Sequence, residues 1–301
     1  MTLKDFLLKA TEEHWATGHF NASELDQMRA IVEACQEVGA PAIIGTSEGE
    51  GEHFGLAEAV ALRDVFRKEY GIPIFLNADH HKSVEAAKAA IDAGYDSVHI
   101  DLSSKSFQEN VLGTKEAVEY CRVRCSQAYN NIPTYSSMLV CCSVESELGY
   151  LRGDSKIQNE KIELKPEDYT DPAQAKEFVQ KTGVDRLAIA VGNIHGISLD
   201  EPALDIERIK AIRKVVPEEV ALVLHASSGI PEEQIKKAIK AGIANIHINT
   251  DIRVAYLKEL KEALAEKPDE VAMYKLDESA IQTMKEVVKE KLQLFGSTNK
   301  I

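Results

Sequence analysis

Three observations predict an α/β protein closed into a (β/α)8 TIM barrel. Short β-rich runs alternate with longer stretches of helical period almost to the end of the chain, eight such runs occur, and no G-x-G-x-x-G follows the first of them. Eight parallel strands that each feed a helix can close on themselves and leave no sheet edge to protect. An open doubly wound sheet is the competing architecture. The missing nucleotide fingerprint argues against it, and the lack of a Pro/Gly/Ser-rich linker favours one domain over 1–301.

The elements follow in order. TLKDFLLKATEE reads as a leading amphipathic helix from Thr2 to Glu13. The strands are Ala16 to Asn21, Pro41 to Thr46, Ile72 to Asp79, Ser97 to Asp101, Met138 to Glu147, Asp185 to Gly192, Val220 to His225 and Asn245 to Asn249. Between them, segments such as SELDQMRAIVEACQEVG and SVEAAKAAIDAG carry apolar residues at i, i+3 and i+4 with a glycine just past the end, as crossover helices require. The polar stretch GYLRGDSKIQNEKIELKPEDYTDP after the fifth strand is the longest insertion and is expected to act as a lid or binding loop. A trailing helix, Glu278 to Leu294, is left to cap the barrel or to serve a subunit contact.

Composition narrows the function. With 44% hydrophobic and 28% charged residues among 301, the chain can build a sizeable core, and disordered or low-complexity readings are disfavoured. A formal charge of −14, from 35 Lys+Arg against 49 Asp+Glu, repels nucleic acid and anionic membranes. It leaves room for anionic metabolites wherever a metal, a few cations or helix N-termini line a pocket. No run approaches 18 apolar residues, and the first 15 residues lack the pattern of a signal peptide. Five cysteines, Cys35, Cys121, Cys125, Cys141 and Cys142, form no C-x-x-C and no even disulfide framework, so they are read as reduced thiols of a cytoplasmic protein.

In such a barrel the strand C-termini form the active face, and here they are rich in polar groups. They end in Asn21, then Thr46 and Ser47, then Asp79, His80 and His81, then Asp101, Glu145 and Glu147, Asn193 and His195, His225, and finally Asn249, Thr250 and Asp251. His80, His195 and His225 thus converge on one mouth from three strands. Three imidazoles with an open fourth position suit a catalytic zinc. Any one of them alone is more simply a hydrogen-bonded histidine; the joint pattern reverses that preference. His99, between Val98 and Ile100, reads as a satisfied core histidine. His81 reads as a partner of the site or a solvated side chain. Asp101 reads as orienting a loop or a monovalent cation, and the cysteines as packing groups.

Longer motifs carry a resemblance. NADHHKSVEAAKAAIDAGYDSVHIDLSSKSFQENV, CSVESELG, YTDPAQAKEFVQKTGVDRLAIAVGNIHG, LVLHASSGIP and HINTDIR together resemble the class II, zinc-dependent fructose-bisphosphate and tagatose-bisphosphate aldolases over nearly the whole chain. The resemblance implies a TIM-barrel lyase, homodimeric or homotetrameric, that cleaves a ketose 1,6-bisphosphate to dihydroxyacetone phosphate and glyceraldehyde 3-phosphate. It implies His80, His195 and His225 as zinc ligands, with Glu147 approaching the ion as it shifts. Asp79 takes the role of general acid/base, and Asn21 and Ser47 line the channel. Gly196, Ser228, Asn249 and Thr250, with Asp251 following, cradle the donor phosphate, and Arg253 meets the distal one. This chemistry suits the residue types, because a metal stabilises charge developing beside a ketone and a neighbouring carboxylate moves the hydroxyl proton. No Schiff-base lysine is required.

The chain departs from the family at four places. Leu199 stands where H-G-x-x-K carries lysine, and HASSG replaces HGGSG at Ala226 and Ser227. His247 stands where an asparagine usually contacts the donor half, and GYLRGDS leaves Asp154 as the nearest second proton-transfer group. These changes gather around the donor half, so a ketose with another group at C1 is an alternative substrate. A barrel that binds metal and sugar phosphate without aldol turnover is the second functional reading, and a metal-dependent hydrolase the third.

Overall fold

The computed structural model describes residues 1–131, 142–199 and 203–301. In chain order the elements are α1 (Leu3–Glu13), β1 (Thr17–Asn21), α2 (Leu25–Val38), β2 (Ala42–Ser47), α3 (Glu48–Phe54), α4 (Leu56–Tyr70), β3 (Ile74–His81), α5 (Val84–Ala93), β4 (Ser97–Ile100), α6 (Phe107–Asn131), β5 (Ser143–Leu148) and β6 (Gly153–Ile157). They continue with α7 (Pro172–Thr182), β7 (Arg186–Ile189), β8 (His195–Ile197), α8 (Ile206–Val215), β9 (Ala221–Leu224), α9 (Glu232–Lys240), β10 (Ile243–Ile248), α10 (Thr250–Glu266), α11 (Met273–Leu276) and α12 (Glu278–Leu294). Eight strands, β1 to β5 with β7, β9 and β10, pair in parallel, and β10 returns to β1 to close the barrel.

Local chemistry sets the helix limits. The Thr2 side chain and Asp5 form a capping box that starts α1, Ser83 caps α5 through the Ala86 amide, and Asp171 followed by Pro172 starts α7. Gly39 ends α2 in the left-handed region at φ 69°.

Strand alternation sorts side chains into two environments. Outward residues such as Ile44, Leu76, Val98, Leu187, Leu222 and Ile246 are buried under the helices in one continuous apolar layer. Inward residues above the bottom layer are polar: the register sets His19 beside His247, Asn77 beside Ser97, His99 beside Glu145, and Glu145 beside Arg186. At the N-terminal end, α1 closes the barrel by packing Leu3, Phe6, Leu7 and Ala10 against Ile43, Phe75, Ala221 and Ala244. Each of those larger side chains contributes roughly 1.5–3 kcal/mol of burial. The trailing helix α12 packs on α2 and α10.

Several expectations change in detail. The third strand runs two residues further than the periodicity predicts, to His81, because a register shift against β4 between Ala78 and His81 accommodates His80 at φ 48°. His195 does not end the sixth barrel strand. That strand stops at Ile189, and His195 lies on β8, which pairs with β6 in a separate two-stranded ribbon. The polar insertion after the fifth strand is therefore partly structured and supplies β6. Its close approach to β8 explains Gly196, where φ is 87° and a Cβ would collide with the Lys156 and Asp154 carbonyls. Residues 138–141 of the expected fifth strand, Cys141 included, lie outside the described residues.

Candidate active site

The C-terminal mouth of the barrel holds a pocket lined by Asn21, Asp79, His80, Ser155, His195, Gly196, His225, Ala226, Ser227, Ser228, His247, Asn249 and Thr250. Of the residues singled out from sequence, most meet here. His80 is central: its ring centroid is 5.0 Å from that of His195 and 4.6 Å from that of His225. His99 joins them, 4.5 Å from His80 and 4.7 Å from His225. His225 lies 3.9 Å from His247, which stacks on His19 at 3.6 Å and 9°. Six of the nine histidines thus form one contiguous cluster.

Two of the rings are held by carboxylates on their far nitrogens. His80 Nδ1 lies 2.9 Å from Asp101 Oδ2, and His225 Nε2 lies 2.5 Å from Glu145 Oε1. Each bond leaves the opposite ring nitrogen free to point at a common centre, the usual support for a metal-ligating imidazole. Among the described residues, Asp79, His80, His99 and His225 bring ligand atoms within 4.8 Å of one another, as do His80, Asp101 and Glu147. His195 is absent from these tight groups and approaches His80 from the ribbon side. Nitrogen donors with one or two carboxylates fit a borderline divalent ion such as zinc.

The electrostatics also favour positive charge at His80. Burial opposes it, yet Asp79, Asp101 and Glu147 outweigh burial and push the His80 pKa up to about 10. Burial likewise raises Glu147, helped by Asp101, to about 8. Asp79 behaves oppositely. Burial acts to raise it, but the His80 charge and the close His247 and His99 rings hold it ionised, well below the usual carboxylate range. His195 is pushed down to about 4, by burial first and His80 second.

The remaining sequence-derived residues divide. Asn21 Nδ2 bridges Asp79 Oδ2 at 3.1 Å and Glu50 Oε2 at 2.9 Å. Ser228 Oγ accepts from the Asp251 amide at 3.1 Å, tying the turn after β9 to the start of α10. Ser47 is half-buried and caps α3 through the Glu50 amide, outside the pocket lining. Asp251 pairs with Lys291 at 2.6 Å, and Arg253 pairs with Glu50. Asp154 is 76% exposed and bound to Lys156 at 3.0 Å, while its neighbour Ser155 lines the pocket. Ala226 adopts φ 55°, so it keeps the left-handed backbone that glycine supplies more easily. Leu199 is 60% exposed.

Sequence reasoning passed over Glu50, His19 and Arg186 and gave His99 to the core. His99 is buried, but beside the cluster. His81 is buried as well, not solvated. The available signal was strand parity: Thr17, His19 and Asn21 are alternate residues of one strand, so an inward Asn21 implies an inward His19. Of the cysteines, Cys121, Cys125 and Cys142 pack together, with Cys121 Sγ 2.8 Å from the Cys142 carbonyl and the Cys142 amide 3.2 Å from Cys125 Sγ.

Comparison with known proteins gives the family and the fold. The family described as fructose-bisphosphate aldolase class-II matches residues 1–300. The YdjI aldolase from Escherichia coli K12 is 31% identical, with a TM-score of 0.78, over 100% of this chain and 98% of that one. The fructose-bisphosphate aldolase from Campylobacter jejuni is 20% identical with a TM-score of 0.78, over 99% and 95%, and shares the fold. Matched from end to end, the chain belongs to the class-II fructose-bisphosphate aldolase family of aldehyde-lyases.

Proposed function

We propose that the protein reversibly cleaves a ketose 1,6-bisphosphate, of fructose or tagatose type, to dihydroxyacetone phosphate and glyceraldehyde 3-phosphate. The observation that carries this reading is the meeting of the His80, His195 and His225 rings in a pocket that also exposes an ionised Asp79. These three histidines, with Glu147, would hold a divalent ion, which we take to be zinc. When bound it supplies electrophilic stabilisation for the negative charge gathered on the donor half.

The chain's own groups supply the rest. Asp79 takes the proton of the hydroxyl whose carbon becomes the aldehyde, and returns it in the condensation direction. Asn21 positions that carboxylate, while Asp101 and Glu145 fix the imidazoles from behind. Asp154, on a ribbon that borders the pocket through Ser155, is assigned the second proton transfer. Gly196, Ser228, Asn249 and Thr250 offer amides and hydroxyls to the donor phosphate, where the start of α10 favours an anion. Ser47 and Arg253 are assigned to the channel and the distal phosphate. A monovalent cation beside Asp101, a cytoplasmic setting and a homodimer or homotetramer belong to the same proposal. Exposed Val271, Met273 and Tyr274 provide apolar surface for the assembly.

One observation favours a second reading. Glu50 is buried and already neutralises Arg253, and no lysine or arginine lines the pocket among the described residues. A substrate with an uncharged end, or without a C1 phosphate, suits that arrangement. Cleavage rates on fructose and tagatose 1,6-bisphosphates, their monophosphates and 1-dephospho analogues separate the two. Bisphosphate preference supports the first, monophosphate preference the second, and no cleavage or condensation of any of them refutes both.

A further inference from the structure

The three proposed metal ligands are not held alike. Asp101 grips the ring of His80 and Glu145 that of His225. Among the described residues no side chain hydrogen-bonds the ring of His195, on which only burial and the charges of its neighbours act. Its backbone differs as well. His80 lies in β3 and His225 directly follows β9, whereas His195 opens β8, which pairs only with β6 in the separate ribbon. β6 is exposed along its whole length. The barrel therefore fixes two of the imidazoles, and the third depends on how the ribbon is held.

The ribbon is irregular at this point. Gly153 pairs with His195 and Ile157 with Ile197, so four steps along β6 answer two along β8. Such a bulge interrupts the ladder and leaves backbone groups without a cross-strand partner. The Gln158 side chain supplies donors there: Nε2 donates to the Asp154 carbonyl and to the His195 carbonyl, each at 2.7 Å. A carboxamide nitrogen carries two N–H groups, and both are used. Beyond the bulge the Gln158 backbone N–H donates to the Ile197 carbonyl at 2.9 Å. Gln158 is 6% exposed, the buried hub of an otherwise solvated ribbon. A Cβ on Gly196 would stand 2.7 Å from its Nε2 and one on Gly153 3.1 Å, so the two glycines leave the room in which this side chain lies.

We propose that Gln158 is the positioning residue for His195, acting through the His195 carbonyl and not through the ring. The inference rests on the metal reading above and adds to it the group that presents the third imidazole. Holding the carbonyls of Asp154 and His195 together also sets Ser155 and Gly196, so one side chain places three of the residues that line the pocket. Supports behind metal ligands typically contribute about 10- to 100-fold in metal affinity, and Gln158 does for His195 what Asp101 and Glu145 do for the other two. Without it the ribbon loosens and carries His195 away, while His80 and His225 keep their places.

A cycle of zinc affinities, measured by competition with a chelator, separates positioning from plain structural support. His195→Ala is expected to weaken zinc binding about 100-fold, and Gln158→Met, which keeps the length of the side chain but loses both donors, about tenfold. The double variant should match His195→Ala to within about threefold, because Gln158 then has no ligand left to position. Loaded with cobalt(II), Gln158→Met should shift toward the visible spectrum of His195→Ala, since that absorption follows the ligand set. Additive losses in the double variant, or native affinity and spectrum in Gln158→Met, overturn the inference and leave His195 a ligand. Native zinc affinity in His195→Ala refutes the metal reading itself, and the inference with it. If Gln158→Met does not fold, NMR of the native protein decides. The Gln158 Nε2 protons are expected to exchange with solvent about tenfold more slowly with zinc bound than without, and exchange that ignores zinc overturns the inference.

Discussion

Arg186 on β7 and Glu145 on β5 form an ion pair of 2.7 Å inside the barrel, with both side chains fully sealed from water. Burial alone would raise the Glu145 carboxyl; Arg186, with His99 and His247, holds it below the usual range. Glu145 in turn grips His225, while Arg186 also reaches Asn77, Ser97 and Asn245, the neighbours of His19 and His247. A single guanidinium thereby anchors three imidazoles from beneath.

That arrangement makes Arg186 difficult to remove alone. Arg186→Met would leave Glu145 as an unpaired buried charge, and the expected loss is about 3–5 kcal/mol of unfolding free energy in denaturant titrations. In Arg186→Met/Glu145→Met most of that loss should return, while metal affinity stays low because His225 has lost its support. A double variant no more stable than the single one would show that the charge was not the cause.

Stability should also fall on the acid side through His19. The unfolded chain takes up this proton near pH 6.5, whereas the folded ring, buried first of all, resists it until about pH 4. Between those values the unfolded state binds more protons, so stability is full above pH 6.5 and declines as pH drops toward 4. The decline attributable to this one group is on the order of 3 kcal/mol. Denaturant titrations of native protein and His19→Leu between pH 7 and 4 check this, since the variant should show a shallower acid limb. Parallel limbs would remove His19 as the cause.

Asp79→Asn is expected to keep the divalent ion, measured by elemental analysis, yet lower turnover roughly 10³-fold, within the range for a lost proton-transfer group. Chelation of native protein should abolish activity and zinc should restore it. An active Asp79→Asn variant would move the proton transfer to another group.

How far these features could be read from sequence follows from the range over which each is encoded. The eight barrel strands and the leading and trailing helices were legible because strand and helix periods are local, and His80, Asp79 and His225 because they end strands. The β6–β8 ribbon was not legible. GDSKI has one large apolar residue, at its end, and HGI spans only three residues, so neither shows a period, and what holds them is the backbone approach at Gly196. Glu50 was hidden because its spacing places it on a short helix after β2, where a carboxylate ordinarily faces water; only the fold turns it toward Asn21 and Arg253.

Glu50 supports a last prediction about substrate choice. It accepts from Asn21 Nδ2 at 2.9 Å and from the Ser47 amide at 2.8 Å, and it pairs with Arg253, whose side chain is 44% exposed. While that pair stands, Arg253 offers an incoming phosphate a compensated charge, and the phosphate would also meet the Glu50 carboxylate nearby. Glu50→Gln keeps the size and the contacts to Asn21 and Ser47 while removing the charge. Condensation of dihydroxyacetone phosphate with glyceraldehyde 3-phosphate, relative to glyceraldehyde, should then rise about tenfold in kcat/KM, an effect of about 1.4 kcal/mol. The gain should appear in KM and shrink as salt is raised, because it comes from long-range attraction. An unchanged ratio would mean that Arg253 does not meet the distal end of the substrate, and the residue that does would have to be sought elsewhere on the rim.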